Sequence, residues 1–462
     1  ICAINHPSVY SVFGGIFRTG ATAVPVMFAL TPNELRYIFG HTECIGVCTD
    51  SMLADKVREA VQGLDHIKWI AVLDGTTDET KTPKEYRLQD LMEQDPGNSI
   101  PNIDAAEDVA LMLYTSGTTG KPKGVMLSHA NLMSSASQSL RASEMHLREH
   151  PTRSISSLPM AHIFGVGVMN GGYLLPKEYE PGYGVSEIWF DPERFMQLIQ
   201  EHKVTDLAVV PTMLSMMVSH PKITEYDLSS LALVAIGAAP VPEEVAQKFS
   251  EIAGCRIKQL YGMTENAGMS TCDRISRPYR PMAAGLPYDD TRIRVVDDNQ
   301  NDMPTGQAGE IIMQGPSVMK GYFKQPDVTA DTVKNGWLHT GDIGYIDEDG
   351  YLFVVDRKKD MIIKGGENIF PAEVENALYE HADIAEAAVI GVPDDKYGED
   401  VVAFVVAMPG KSIDEADVIS HVKKLITPFK APSRVIVIPN LPKSGVGKIL
   451  RRELRDMVPA AT

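Results

Sequence analysis

The sequence predicts an α/β protein. A large N-terminal domain of two βα sheet subdomains plus a small β-barrel-like unit is followed by a small α+β C-terminal domain. Three observations predict this. As far as about residue 260, short apolar runs alternate with amphipathic stretches, the pattern of parallel strands covered by helices. From 273 to 356 the signals become short and alternating, which suits an antiparallel β unit. At 356–360 the charged run DRKKD breaks the apolar flow and a compact set of elements follows, so domains are expected at 1–358 and 359–462.

Taken in order, Val9–Arg18 reads as a helix and Ala21–Val26 as a strand. Thr31 is placed to cap a helix running from Pro32 to Phe39. Ile45–Thr49, Trp69–Leu73 and Val109–Tyr114 read as buried strands. Pro192–His202 reads as a helix, Asp206–Val210 as a strand ending at Pro211, and Leu231–Ile236 as a strand running into GAAP at 237–240. The helix expected over Pro242–Ala253 has proline in its first turn, where the missing N–H costs nothing. Ile293–Val296, Glu310–Met313 and Tyr351–Val355 are the strands of the antiparallel unit. Beyond DRKKD come a helix at 372–380, strands at 386–391 and 401–407, a helix at 414–426 and a strand at 434–438. The segment KEYEPGYGVSEIWF at 177–190 reads as a long surface loop, with a lid near a substrate entrance as the alternative.

At 462 residues the chain is too long for one ordinary core, and 44% hydrophobic with 23% charged residues fits a soluble globular enzyme. A net charge of −18 argues against broad nucleic-acid or anionic-membrane binding. It leaves room for a phosphate ligand, because a local basic loop can hold phosphates on an acidic protein. No apolar run is long enough for a membrane span. Cys2, Cys44, Cys48, Cys255 and Cys272 form no CxxC and no Cys/His metal pattern, so buried free thiols in a reducing cytoplasm are expected. The chain starts at Ile1 inside an apolar segment, and an N-terminal piece is expected to precede it.

YTSGTTGKPKG at 114–124 joins a strand to a loop of hydroxyls, glycines and lysines. Its glycines let backbone approach a ligand closely, and Thr115, Ser116, Thr118, Thr119 and Lys123 offer donors and charge, the makings of a phosphate cradle. It is not the GxxxxGK[ST] loop; the plain alternative is a flexible polar loop. In YGMTE at 261–265, Tyr261 suits stacking on a purine, Thr264 can reach a phosphate, and Glu265 is a hard oxygen ligand for Mg²⁺. The alternative there is a turn with a buried Tyr and a solvated Glu. GWLHTGD at 336–342 ends in Asp342, which could accept both hydroxyls of a ribose or merely sit in a turn. Arg357 could reach ribose or phosphate oxygens, or be a solvated linker charge. PKSGVGK at 442–448 presents Lys448, able to stabilise developing negative charge or to join a surface cluster with Arg451 and Arg452. His162 in LPMAHIFG at 158–165 reads as a core histidine, a general base or a pocket wall.

Together, YTSGTTGKPKG, YGMTE, GWLHTGD, DRKKD and PKSGVGK resemble the adenylate-forming superfamily of acyl-CoA synthetases, luciferases and peptide-synthetase adenylation domains. The resemblance runs from about Ile1 to the C-terminus. It implies a mobile C-terminal domain that swings between two poses, one forming acyl-AMP and pyrophosphate and the other passing the acyl group to a thiol. It implies that Thr115, Ser116, Gly117, Thr118, Thr119 and Lys123 hold the β- and γ-phosphates of ATP. Gly237, Ala238 and Ala239 would line the adenine with Tyr261 stacked on it and Gln259 at the purine edge. Thr264 would touch the α-phosphate, Glu265 would hold Mg²⁺, and Asp342 and Arg357 would bind ribose. Lys448 would stabilise the adenylation transition state, Lys359 matches the hinge, and Gly366 in IIKGGEN would line the route of the coenzyme A thiol. His162, grouped with the catalytic residues, is best read as a pocket wall, because a carboxylate that is already ionised requires no general base.

Within that family the sequence points to a CoA ligase. LPMAHIFG has no carboxylate to pair with an amino-acid ammonium. YLFVVDRKKD passes directly to MIIKGGEN without the insertion of fatty acyl-AMP ligases, and with few residues after Lys448 and Pro-Ala-Ala-Thr in place of SKL, neither a carrier domain nor a peroxisomal ending is expected. The expected pocket segments HIFGVGVMNGG, IGAA and GMTENAG are apolar and small, and DMIIKGGENIFPAEVE at 360–375 resembles bacterial fatty acyl-CoA ligases. A medium- or long-chain fatty acid is therefore expected, with an aryl acid as runner-up. A carrier-protein loader, a luciferase-like oxygenase and a silent nucleotide-binding relative are the other readings. Expected partners are the small-molecule acid, ATP and CoA, with a homodimer left open.

Overall fold

The computed structural model describes residues 1–75, 77, 82–95, 101–115, 122–144, 151–174, 182–239, 241–443 and 448–458. A seven-stranded sheet forms the centre of the N-terminal part, in the order Leu286–Pro287, Gly268–Cys272, Arg256–Met263, Leu233–Ile236, Asp206–Val209, Arg153–Ser156, Tyr183–Ser186. Its strands run parallel from Arg256–Met263 to Tyr183–Ser186 and antiparallel at the other end. Helices Pro192–His202, Pro211–Val218 and Glu243–Ala253 cover one face, packing Phe195, Leu198, Leu214 and Phe249 onto Ile155, Val209, Val234 and Ile257. Helices His129–Ala142 and Ile163–Tyr173 lie against the other core, with Leu132, Ile163 and Val166 buried beside Leu111, Val125 and Ala267.

Two smaller sheets complete the first part of the chain. Gly46–Thr49, Trp69–Val72 and Lys84–Arg87 pair in parallel. Val109–Thr115 and Lys123–Ser128 instead form an antiparallel hairpin, with Gly321–Tyr322 on its edge, so the parallel arrangement read from the βα alternation does not extend here. The segment Ala21–Val26 is not a strand either. Only Ala23 bridges to the hairpin, at Leu111, because Pro25 has no N–H to continue a ladder. The 177–190 segment differs as well. Tyr183–Ser186 is an edge strand beside Arg153–Ser156, while 175–181 lie outside the described residues.

Helix starts follow their local chemistry. The helix Pro32–Thr42 has Thr31 as cap, Pro32 in the first turn and a reciprocal capping box with Glu34. Asp191 caps Pro192–His202 by accepting from the Arg194 N–H at 2.7 Å. Each such cap is worth about 1 kcal/mol.

The antiparallel unit orders Arg292–Val296, Gly309–Gln314, Trp337–Ile346 and Val333–Lys334, with Leu352–Arg357 also paired to Trp337–Ile346. After DRKKD, a five-stranded sheet contains Glu367–Ile369, Ile362–Lys364, Gly398–Ala407, Ile384–Asp394 and Arg434–Val437. Helices Pro371–Tyr379 and Glu415–Leu425 cover one face through Val374, Leu378, Val418 and Val422. Arg451–Met457 covers the other by burying Leu454 against Ala388, Ile390, Val402 and Phe404. Among the described residues no helix is long and apolar enough to cross a membrane.

Candidate active site

The parallel pairing of Asp206–Val209, Leu233–Ile236 and Arg256–Met263 stops at one level, since Val209 pairs with Ile236 and Ile236 with Gln259. The segments that follow, 210–213, 237–239 and 260–265, therefore form one rim. Crevices at the carboxyl ends of parallel strands are where such sheets bind ligands. Gly237 is closely packed: a Cβ there would sit 3.3 Å from the Phe164 ring, tighter than an ordinary contact. Ala238 follows with φ +75°, a left-handed conformation that costs an alanine of order 1–2 kcal/mol and exposes the backbone of this turn. At Gly262 the neighbouring strand comes closer still, because a Cβ would lie 1.8 Å from the Gly268 carbonyl oxygen. Gln259, beside this rim, donates its amide to the Met282 sulfur at 3.8 Å.

Asp342 and Arg357 face each other across the pairing of Trp337–Ile346 with Leu352–Arg357. Arg357 Nε lies 3.3 Å from Asp342 Oδ1, and the Tyr261 hydroxyl donates to Asp342 Oδ2 at 2.9 Å. Burial raises the Asp342 carboxyl above its ordinary range, against the pull of Arg357 and the Tyr261 hydrogen bond. Burial and the Asp342 charge push Tyr261 well above the usual phenol value, so its hydroxyl remains a donor. Tyr261 packs its ring with Ile311, Met313, Leu338 and Leu352.

Thr264 and Glu265 lie in the short turn Thr264–Asn266 and are buried. The Tyr322 hydroxyl donates to Glu265 Oε1 at 2.9 Å, and the Lys123 ammonium sits 5.0 Å from the centre of the Tyr322 ring. Tyr322 was not among the residues expected from the sequence; it meets Glu265 from a short strand 57 residues away, and no local motif marks it. Among the described residues no group of three or more His, Cys, Asp or Glu could hold a metal. A single carboxylate is nevertheless compatible with Mg²⁺, which is commonly held by one or two carboxylates together with substrate phosphates and water.

Lys448 reaches this cleft from the C-terminal part. Burial, and then Arg357, lowers its ammonium from 10.5 to about 8, while Asp342 and Glu265 pull the other way. His162 caps the helix Ile163–Tyr173, its Nδ1 accepting from the Phe164 N–H at 3.3 Å. That bond leaves the proton of the neutral ring on Nε2. Burial, then Lys448, pushes His162 down to about 4, so it is neutral at pH 7. Beside it opens a cavity of about 280 Å³ lined by Phe28, Leu158, Phe164, Trp189, Phe190, Met213, Met216 and Ala238, with Lys443 at its edge. Ile188–Phe190 line the cavity from an exposed loop at this end of the 177–190 segment. Of the segments expected to form the acid pocket, only His162, Phe164 and Ala238 line this cavity.

The remaining expected residues are less centrally placed. Thr115 and Lys123 are register partners, the last residue of one hairpin strand and the first of the next, while Ser116, Gly117, Thr118 and Thr119 lie outside the described residues. Gly366 stands in an exposed turn between Ile362–Lys364 and Glu367–Ile369 with φ +86°, and a Cβ there would meet nothing within 4 Å.

Tyr261, Glu265, Asp342, Arg357 and Lys448 in one cleft suit a nucleotide and a reacting anion, and the sequence agrees. Residues 1–323 match the AMP-binding enzyme family and residues 373–448 the AMP-binding enzyme C-terminal domain. The chain belongs to this family of adenylate-forming enzymes, and more narrowly to its AMP-forming acid–thiol ligases. A long-chain-fatty-acid–CoA ligase of Bacillus subtilis (strain 168) is 38% identical, covering 98% of this chain and 84% of the relative. The fatty acid–[acyl-carrier-protein] ligase ScoC of Streptomyces coeruleorubidus is 37% identical, covering 97% and 84%. The crystal structure of the anthranilate CoA ligase AuaEII in complex with anthranoyl-AMP aligns with a TM-score of 0.88 at 25% identity, covering 98% of this chain and 86% of that one.

Proposed function

We propose that this enzyme activates a fatty acid to acyl-AMP with release of pyrophosphate and then transfers the acyl group to CoA. The convergence of Lys448 on Asp342, Arg357 and Glu265 carries this reading. A carboxylate oxygen attacks the α-phosphorus of ATP, the bond to the β-phosphate breaks, and pyrophosphate leaves. Like charges oppose the approach, and Lys448 offsets them where negative charge develops. Thr115, Ser116, Gly117, Thr118, Thr119 and Lys123 hold the β- and γ-phosphates, and Thr264 the α-phosphate. Gly237, Ala238, Ala239, Gln259 and Tyr261 hold the adenine, and Asp342 and Arg357 hold the ribose. Glu265, its carboxylate fixed by Tyr322, would hold Mg²⁺, which would supply charge neutralisation at the phosphates. Neutral His162 forms a wall beside the acid rather than exchanging its proton.

In the second step the thiol sulfur bonds to the acyl carbon and AMP leaves. Residues 359–462 act as the mobile small domain, pivoting at Lys359, and the Gly366 turn lines the thiol route after the swing. Closure keeps water from acyl-AMP.

The cavity beside His162 supports an uncharged acid tail. Its walls are mainly aromatic and aliphatic, with Ser157, Thr212 and neutral His162 the uncharged polar groups among them, and the Lys443 ammonium is held by Glu386 at 2.7 Å, so it offers no unpaired cation to a second carboxylate. The aromatic wall of Phe28, Phe164 and Trp189, with the likeness to AuaEII, favours an aryl acid as the second reading. Thioester formation from a panel of fatty and aryl acids, with ATP and Mg²⁺, with and without CoA, tests both. CoA-dependent thioester from fatty acids supports the first and from aryl acids the second. Acyl-AMP that accumulates despite CoA overturns both in favour of a carrier-protein loader or an oxygenase.

A further inference from the structure

A partly buried ionic cluster joins the segment carrying Lys448 to the proposed pivot, with Arg451 three residues from Lys448 itself. Arg451 opens the helix Arg451–Met457. Its Nη2 lies 2.7 Å from Glu375 Oε1, its Nε donates to the Val389 carbonyl at 3.2 Å, and its Nη1 lies 3.8 Å from Asp360 Oδ2. Glu375 Oε1 also accepts from the Val389 N–H at 2.8 Å, so helix Pro371–Tyr379, strand Ile384–Asp394 and Arg451 meet at one point. Asp360, next to Lys359, takes a second cation, Arg455, at 3.5 Å. Asp356, on the other side of Lys359, is buried, accepts from the Ala372 N–H at 2.9 Å and feels the Arg451 charge. The backbone between Lys448 and Arg451 is short and held: Ile449 bridges to Lys443, and the Leu450 N–H donates to the Pro442 carbonyl at 2.9 Å.

We infer that Arg451 is a positioning residue for adenylation: with Asp360 and Glu375 it ties the Lys448 segment to the pivot, so that the pivot's setting fixes where the Lys448 ammonium stands. The inference rests on the reading of Lys448 given above. A guanidinium suits this task because its rigid fork meets two carboxylates and a carbonyl at once, whereas an ammonium is a single flexible point. Loss of the tie displaces Lys448 in the pose that makes acyl-AMP and leaves the second pose, which does not use Lys448, largely untouched.

The test separates the half-reactions in the full chain. Arg451→Ala is expected to lower the rate of pyrophosphate formation roughly 10- to 100-fold, the loss typical of displacing a reacting group by about an ångström. The KM for ATP should stay within about threefold, since ground-state binding is not the target. Thioester formation from supplied acyl-AMP and CoA should also stay within about threefold, which shows at once that the variant is folded. In a Lys448→Ala background, adding Arg451→Ala should cost nothing further, because residues acting as a unit are not additive. If Arg451→Ala does not fold, Arg451→Lys carries the same test, with a smaller loss confined to pyrophosphate formation. Equal losses in the two half-reactions, or a full additional loss in the Lys448→Ala background, overturn the inference. Wild-type pyrophosphate formation by Lys448→Ala alone would overturn the underlying reading of Lys448. An impaired Lys448→Ala with silent Arg451 variants overturns only the positioning role.

Discussion

If Lys448 stabilises the adenylation transition state as proposed, its lowered ammonium should make adenylation sensitive to alkali. Burial and Arg357 bring it to about 8, so it loses its proton as pH rises through that value, and only the charged form can stabilise the transferring phosphoryl group. With that value, about nine-tenths of Lys448 is charged at pH 7 and about one-tenth at pH 9, so kcat/KM for pyrophosphate formation should fall about tenfold across this interval. Bound ATP adds negative charge and favours the ammonium, so the falling limb of kcat should lie above that of kcat/KM. Lys448→Arg provides the control. A guanidinium stays charged throughout, so this variant should be slower but flat between pH 7 and 9. The assay is initial-rate pyrophosphate release at saturating acid, fitted separately for kcat and kcat/KM. A wild-type profile flat to pH 9, or a Lys448→Arg profile with the wild-type limb, would refute the reasoning. In the second case Lys359, also lowered by burial and Arg357, is the group to examine.

Three further outcomes follow from particular contacts. Tyr322→Phe deprives the buried Glu265 carboxylate of a donor, a cost of about 1–3 kcal/mol, and should raise the Mg²⁺ concentration needed for half-maximal pyrophosphate release; an unchanged magnesium titration counts against the role given to Glu265. Gly262→Ala forces a methyl carbon to within 1.8 Å of the Gly268 carbonyl and should lower stability by about 3 kcal/mol or more, read as a drop in Tm, whereas a wild-type melt would contradict the close strand approach. Gly366→Trp enters open space, though at a strained φ of +86°, and should spare pyrophosphate formation while slowing thioester formation from supplied acyl-AMP. Equal slowing of both steps would remove Gly366 from the thiol route.

The parts of this fold that could be read from the sequence are those whose physics is local. The Thr31–Glu34 capping box and the Asp191 cap sit within one helical turn of the residues they serve, so helix starts were expected where they occur. A ladder depends on what lies opposite. Ala21–Val26 has strand-like residues, but Pro25 and the available partners leave only the Ala23 bridge. The strand Val109–Thr115 has the same apolar run as a parallel strand, and its direction is set by pairing with Lys123–Ser128. The site divides in the same way. Glu265, Asp342, Arg357 and Lys448 stand in recognisable motifs, whereas Tyr322 reaches Glu265 over 57 residues and the Tyr261 hydroxyl reaches Asp342 over 81.

DRKKD shows how far charge pattern misleads once tertiary structure intervenes. As sequence it reads as a domain junction, with solvated linker charge as the plain alternative, yet Asp356 and Asp360 are 7% and 8% exposed. Burial raises the Asp356 carboxyl to about 6, against the opposing pull of Arg451 and the Ala372 N–H. A carboxylate buried this way is costly unless its partners stay in place. Asp356 lies before the proposed pivot, while Arg451 and Ala372 lie after it, so a swing that parts them must rehydrate or protonate the carboxyl. The contact therefore favours the pose that brings Lys448 into the cleft. The same Arg451 that would align Lys448 through Asp360 and Glu375 would thus also bias the small domain toward the pose in which that alignment matters.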